Sequence, residues 1–170
     1  ATQYMDAKNW PLTSRHAAVV RSGPHTATSR LDIRKGRIIL TQEFREGNFY
    51  NASAVAIGVA GRTSRADYYN ETTVRLSAAP GKGKFTILMS TAASADPKED
   101  VAAKALKELD AAEGKGLEGV LADNQTWWSD FWSKAFVRLH SDDGQADFVE
   151  QNYTYFLYIM ASASRGTYMP

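Results

Sequence analysis

The residues best suited to chemistry lie in one short run, Trp127-Trp128-Ser129-Asp130-Phe131-Trp132. Large rings packed into two helical turns can stack on the apolar faces of sugars, and the same rings can bury against a neighbouring element. At helical spacing packing is the commoner use. Trp127, Trp128 and Trp132 therefore carry two readings, an interdomain core and a carbohydrate-binding platform. Asp142, Asp143, Asp147 and Glu150 form an acidic group. A calcium loop needs alternating oxygen ligands, a glycine at the sixth place and a glutamate at the twelfth. That pattern is missing, and the group suits the positive end of a helix instead. His16, His25 and His140 show neither metal-ligand spacing nor a Gly-x-Ser-x-Gly partner. With no cysteine in the chain, thiolate zinc sites and thiol nucleophiles are also excluded. No catalytic residue, metal ligand or cofactor is assigned. A pair of carboxylates can run a glycosidase, but spacing alone pairs none here.

The elements that must position these residues change character along the chain. Residues 1–93 read as β structure, with a short strand at 16–21 and a Ser-Gly-Pro break at 22–24. A hairpin follows over 30–44, turning at Lys35-Gly36. After a turn at Glu46-Gly47-Asn48, Val55, Ile57 and Val59 alternate with Ala54, Ala56 and Gly58. That strand has one bulky face and one small face, which lets another backbone approach closely. A second hairpin is expected from Thr72–Ala78 and Lys84–Ala92 around Pro80-Gly81-Lys82-Gly83, a plain turn that lacks the spacing of a phosphate loop.

From Ala95 the pattern is helical. Asp96-Pro97-Lys98-Glu99 offers a cap, a first-position proline and a capping-box glutamate. A helix to about Ala112 buries Val101, Ala105, Leu106 and Leu109, and Glu113-Gly114-Lys115-Gly116 ends it. A second helix from Leu117 to Lys134 lines up Leu117, Leu121, Asn124, Trp128, Phe131 and Trp132 on one side. Phe136, Val137 and Leu139 make a short strand or extended link, and Ser141-Asp142-Asp143-Gly144 caps a last helix. Between Gln151 and Ser164 no side chain is charged, and Tyr153, Phe156, Leu157, Ile159, Met160 and Ala163 fall on every face. A helix apolar all round is built for burial on all sides. The run is shorter than the ~20 apolar residues of a bilayer span, so no membrane span is expected. Tyr153, Phe156, Leu157 and Ile159 should stay partly exposed in this chain alone, or be covered by a neighbouring copy.

A net charge of +1 from 20 basic and 19 acidic residues leaves no footprint for nucleic acid. Arg34, Lys35 and Arg37 gather around the Gly36 turn, where charge ordinarily serves solvation.

Several of these runs together resemble a known junction. Phe85 to Ser94, the Asp96-Pro97 helix start, the Trp127 to Trp132 run, and Tyr153 through Ser164-Arg165-Gly166 to Pro170 resemble the domain boundary of bacterial glycoside hydrolases with an (α/α)6 barrel, of the family 95 α-L-fucosidase-like type. In that family a β-super-sandwich leads through Trp-rich linker helices into the first barrel helix. Asn124 stands where the family commonly has a histidine. The resemblance implies an α+β chain: a partial antiparallel β-sandwich over 1–94, a helical linker over 95–140, and the first, buried helix of an all-α barrel from 141 to 170. It further implies a non-catalytic region of an extracellular or periplasmic enzyme that acts on carbohydrate by inversion. The missing C-terminal barrel is then the partner, and self-association through the last helix is the expectation without it. Arg165 and Tyr168 would follow the first barrel helix on the sugar-binding side. The alternative is a self-contained carbohydrate-binding or interaction module built on the Trp-rich helix.

Overall fold

In a computed structural model, residues 12–14, 17–23, 25–134 and 136–163 are described. The chain is α+β, an antiparallel sheet portion followed by two helices. Two compact units divide after Val120, within the stretch expected to be a linker.

In the first unit, strands β1 (Leu12–Ser14), β2 (Ala17–Ser22), β3 (His25–Arg34), β4 (Arg37–Glu46), β5 (Phe49–Ala60) and β8 (Thr86–Ser94) form one antiparallel sheet in the order β1-β2-β3-β4-β5-β8. The expected β3–β4 turn is present. Arg34 pairs with Arg37 across Lys35 and Gly36, whose φ values of 51° and 72° are those of the hairpin turn that follows strand twist.

The second expected hairpin does not form. Strand β7 (Thr73–Ala78) pairs with β6 (Ser64–Asn70), a strand the sequence reading did not foresee, and β8 pairs with β5. Two local interactions explain this. Asn70 Oδ1 accepts from the Thr72 backbone N–H at 3.0 Å, closing a tight turn between β6 and β7. The Arg62 guanidinium donates to the Gly81 and Gly83 carbonyls, each at 3.1 Å, so the Pro80–Gly83 segment is held as a crossing loop.

Register fixes the two faces of the sheet. Asp32, Ile39, Ala56 and Ser90 stand side by side on one face, and Ile33, Ile38, Ile57 and Met89 on the other. The first face carries the core. Ala52, Ala54 and Ala56 of β5 leave room for a helix, and Val101, Ala102, Ala105, Leu106 and Leu109 fill it, with Ile39 beside them. Ser90 Oγ donates to the Ala105 carbonyl at 2.6 Å, a direct tie from strand to helix. Against the second face lies β7, in contact with β3 and β4, while Ile87 and Met89 stay largely exposed.

That helix is α1 (Val101–Lys134), interrupted at Gly116 with φ 70° and ψ 171°, so the predicted break is observed. Its start differs from expectation. Asp96 makes only a turn, accepting from Lys98 N at 2.9 Å, and the cap is Asp100, whose Oδ1 accepts from Ala103 N at 3.0 Å. Arg34 decides the matter, because its Nη1 reaches Asp100 Oδ2 at 2.9 Å and fixes the cap against β3. Leu117 and Leu121, expected on a packed stripe, are exposed.

Around the β3–β4 turn, the cations face acids of the helix region, although the Lys35 side chain stays 77% exposed. Arg34 pairs with Asp100, Lys35 lies 3.9 Å from Asp110, and Arg37 pairs with Glu113. Each acid is on α1 or caps it, so the turn is stitched along the helix. Gly58 permits the last of these pairs, since the Arg37 stem occupies the space a Cβ would take.

In the second unit, the later part of α1 is followed by an extended link at 136–140, without a strand, and by α2 (Gln145–Ala163). The predicted cap is present. Ser141 Oγ accepts from Ala146 N at 2.9 Å, and Asp143 Oδ1 accepts from Gln145 N at 3.0 Å.

Candidate functional site

Helical spacing brings the aromatic run into one cluster, because positions three and four residues apart are neighbours on a helix surface. Trp128 is its centre. It meets Trp127 edge-on at 4.8 Å and Phe131 edge-on at 5.6 Å, and stacks with Trp132 at 6.0 Å and with Tyr158 of α2 at 5.2 Å. Trp127 in turn stacks on Phe131 at 5.5 Å, 9° from parallel. Trp128, Phe131 and Trp132 are half-buried, and Trp127 is the most open of the three tryptophans at 37% exposure. A sugar platform needs flat, open ring faces. Here the faces of Trp128 meet other rings, so the cluster makes an aromatic contact between the later part of α1 and α2.

Sequence reasoning missed Tyr158. The available signal was the excess of tyrosine in α2, which needs polar or stacked surroundings for its rings. Arg165 and Tyr168 lie outside the described residues, as does His16.

The acidic residues of this unit hold turns. Asp143 accepts from Ser141 Oγ at 2.6 Å, which keeps its carboxyl below the ordinary range. Asp147 lies 3.1 Å from His140 Nδ1 and accepts from Ser141 N at 3.3 Å, and the His140 contact is the main cause of its lowered pKa. Glu150 accepts from the Leu139 backbone N–H, and Asp130 is bonded to Lys134 Nζ at 2.6 Å. Among the described residues no cluster of His, Asp and Glu has the makings of a metal site. His25, in the first unit, pairs with Glu46 at 3.2 Å and stacks on Phe44.

The distinctive feature of α2 is its surface. Tyr153, Phe156 and Ile159 are exposed, with Leu157 half-buried. Phe148 is 63% exposed, Phe156 59% and Ile159 61%, and with Val149 and Met160 they lie within about 120° of arc at 100° per residue. Ala161 alone is buried among the described residues of this helix. The expectation that these side chains would be partly uncovered therefore holds in this structure. No helix among the described residues is long and apolar enough to cross a membrane.

No protein-family model matches the chain, and neither the curated proteins nor the solved structures yield a match.

Proposed function

We propose that this chain is the non-catalytic β portion and linker of a bacterial glycoside hydrolase, and that α2 opens an all-α barrel in which a glycosidic bond is hydrolysed by inversion. The observation that carries the reading is the uncovered apolar face of α2. Phe148 and Phe156 each leave on the order of 100 Å² in water, and burying that area contributes roughly 2.5 kcal/mol per ring. A face of this size favours a permanent helical neighbour over solvent. Ile87 and Met89, exposed on the second face of the sheet, fit a sandwich whose other layer has further strands than β6 and β7. In this reading the Trp127–Trp132 cluster is interdomain core, Arg165 and Tyr168 stand beside the sugar site, and the enzyme works outside the cytoplasm.

The test is activity on aryl glycosides. The 170-residue chain should be inert, and the same chain joined to the sequence that follows it in its gene should turn over. Turnover by the 170-residue chain, lost in Asp130→Asn or Glu150→Gln, would refute the proposal. Saturable quenching of tryptophan fluorescence by oligosaccharides would instead favour a self-contained binding module, for which the partly open Trp127 is the one supporting observation.

A further inference from the structure

A cleft of about 330 Å³ lies in the first unit between the β3–β4–β5 face and the start of α1. Its back wall is closed chemistry. Arg34 Nε donates to Asp32 Oδ2 at 2.8 Å and Arg34 Nη1 to Asp100 Oδ2 at 2.9 Å, while Asp32 Oδ1 also accepts from Ile33 N and from Tyr68 Oη. These groups have their partners and their positions are fixed. The front wall differs. Arg30 and Thr41, neighbours in register on β3 and β4, have no side-chain partner among the described residues. Glu43, one step along the same face of β4, has only a 3.9 Å contact to Arg45. Tyr50 completes this wall on β5, with Arg45 over its ring at 4.5 Å.

Strand pairing thus presents a guanidinium donor, a hydroxyl and a carboxylate acceptor in one row, above the small side chain of Ala52. Four carboxylates line the cleft (Asp32, Glu43, Glu99, Asp100) against two guanidiniums (Arg30, Arg34), which disfavours an anion. The free donor Arg30 disfavours a cation at the same place. A ligand whose adjacent groups each donate and accept satisfies both ends of the row, and a pair of neighbouring sugar hydroxyls is such a ligand. We infer that this cleft binds a neutral carbohydrate, with Arg30 donating to one hydroxyl and Glu43 accepting from its neighbour. The choice of carbohydrate over another polyol rests on the proposed function, whereas the position and polarity of the site do not.

The test is a nitrogen-15 amide titration of the chain with D-glucose, D-galactose and L-fucose, and with D-glucuronate as the anionic comparison. The expected result is a saturable millimolar shift at residues 30, 41, 43, 50 and 99–102 for at least one neutral sugar, with glucuronate binding more weakly. Arg30→Ala and Glu43→Gln should each weaken binding about tenfold, as loss of a hydrogen bond to a charged group predicts. Both positions are exposed, and an unchanged far-UV circular dichroism spectrum checks that the variants fold. Absence of saturable shifts, tighter binding of glucuronate, unaltered affinity in both variants, or shifts confined to Trp127, Trp128 and Trp132 would each overturn the assignment. Because the readout is binding by the first unit, it is separate from the aryl-glycoside assay, and failure of this site is distinguishable from failure of the proposed function.

Discussion

Replacing Gly58 by alanine would put a Cβ 2.6 Å from Cδ and 2.8 Å from Nε of Arg37, and 3.2 Å from Cδ2 of Leu109. The first two are far inside contact distance, and they lie in the middle of a side chain anchored at both ends. The Arg37 backbone is held in the β3–β4 hairpin and its guanidinium by Glu113, so the stem cannot swing aside with the pair intact. Leu109, among the most buried side chains of the core, offers little room on the other side. Forcing an extra methyl into such a site costs about 1–3 kcal/mol. Loss of the half-buried Arg37–Glu113 pair adds to this, discounted for its partial exposure. Against these stands a gain of about 0.4–1 kcal/mol, because alanine restricts the unfolded chain and Gly58 has no positive φ to protect. The net expectation is a loss of roughly 1–3 kcal/mol, a fall in Tm of roughly 2–12 °C for a chain of this size. Thermal and urea unfolding followed by far-UV circular dichroism measure it. The decisive comparison is the same substitution in an Arg37→Ala background, where Gly58→Ala should be neutral or slightly stabilising. An equal loss in both backgrounds, or wild-type stability of the single variant, would refute the view that Gly58 exists to pass the Arg37 stem beneath α1.

Asp32 and Asp100 give the first unit an acid limit. Burial pushes Asp32 up, but hydrogen bonds from Arg34, Ile33 and Tyr68 outweigh it and leave the carboxyl below its ordinary value, while Asp100 is lowered chiefly by the Ala103 N–H. Both folded pKa values lie below the unfolded value of about 3.9, so the unfolded chain binds more protons in acid. Their contribution is complete above that range and is lost as pH falls through the depressed values, a slope that urea midpoints should show and that Arg34→Met should flatten. Asp100→Ala should cost about 1–2 kcal/mol through the lost cap, and Asp96→Ala clearly less, reversing the order the sequence suggests. Trp128→Ala should destabilise by about 2–4 kcal/mol and Trp127→Ala by less, since Trp128 holds the cluster and Tyr158 together, and equal losses would argue against a packed core. Phe156→Lys and Ile159→Lys should leave Tm within about 1 °C and reduce binding of a hydrophobic dye, because both side chains already face water.

Much of the local structure was legible because it rests on neighbours in sequence. Lys35-Gly36 dictates its hairpin, Gly116 breaks α1, and Ser141 to Gly144 cap α2, each through groups a few residues apart. The small-residue face of β5 announced a close neighbour, and the apolar girth of α2 announced the side chains that stand uncovered in this structure. What covers Ala52, Ala54 and Ala56 was decided only by the tertiary structure, and it is α1, held by Leu109 and by Ser90. The pairing of β8 with β5 was equally hidden. A strand's alternation tells which side chains share a face but not which backbone edge it joins, and an arginine's reach to loop carbonyls, as at Arg62, leaves no periodic trace. The same holds for the cations at Arg34, Lys35 and Arg37. As a sequence they are a solvated turn, which Lys35 remains, and only folding of the hairpin along α1 sets Arg34 and Arg37 against acids 66 and 76 positions away in the chain. The Trp127 to Trp132 run shows the limit from the other side. Its composition admitted both a sugar platform and a core, and ring orientation, which composition does not carry, favours the core through Trp128 and Tyr158.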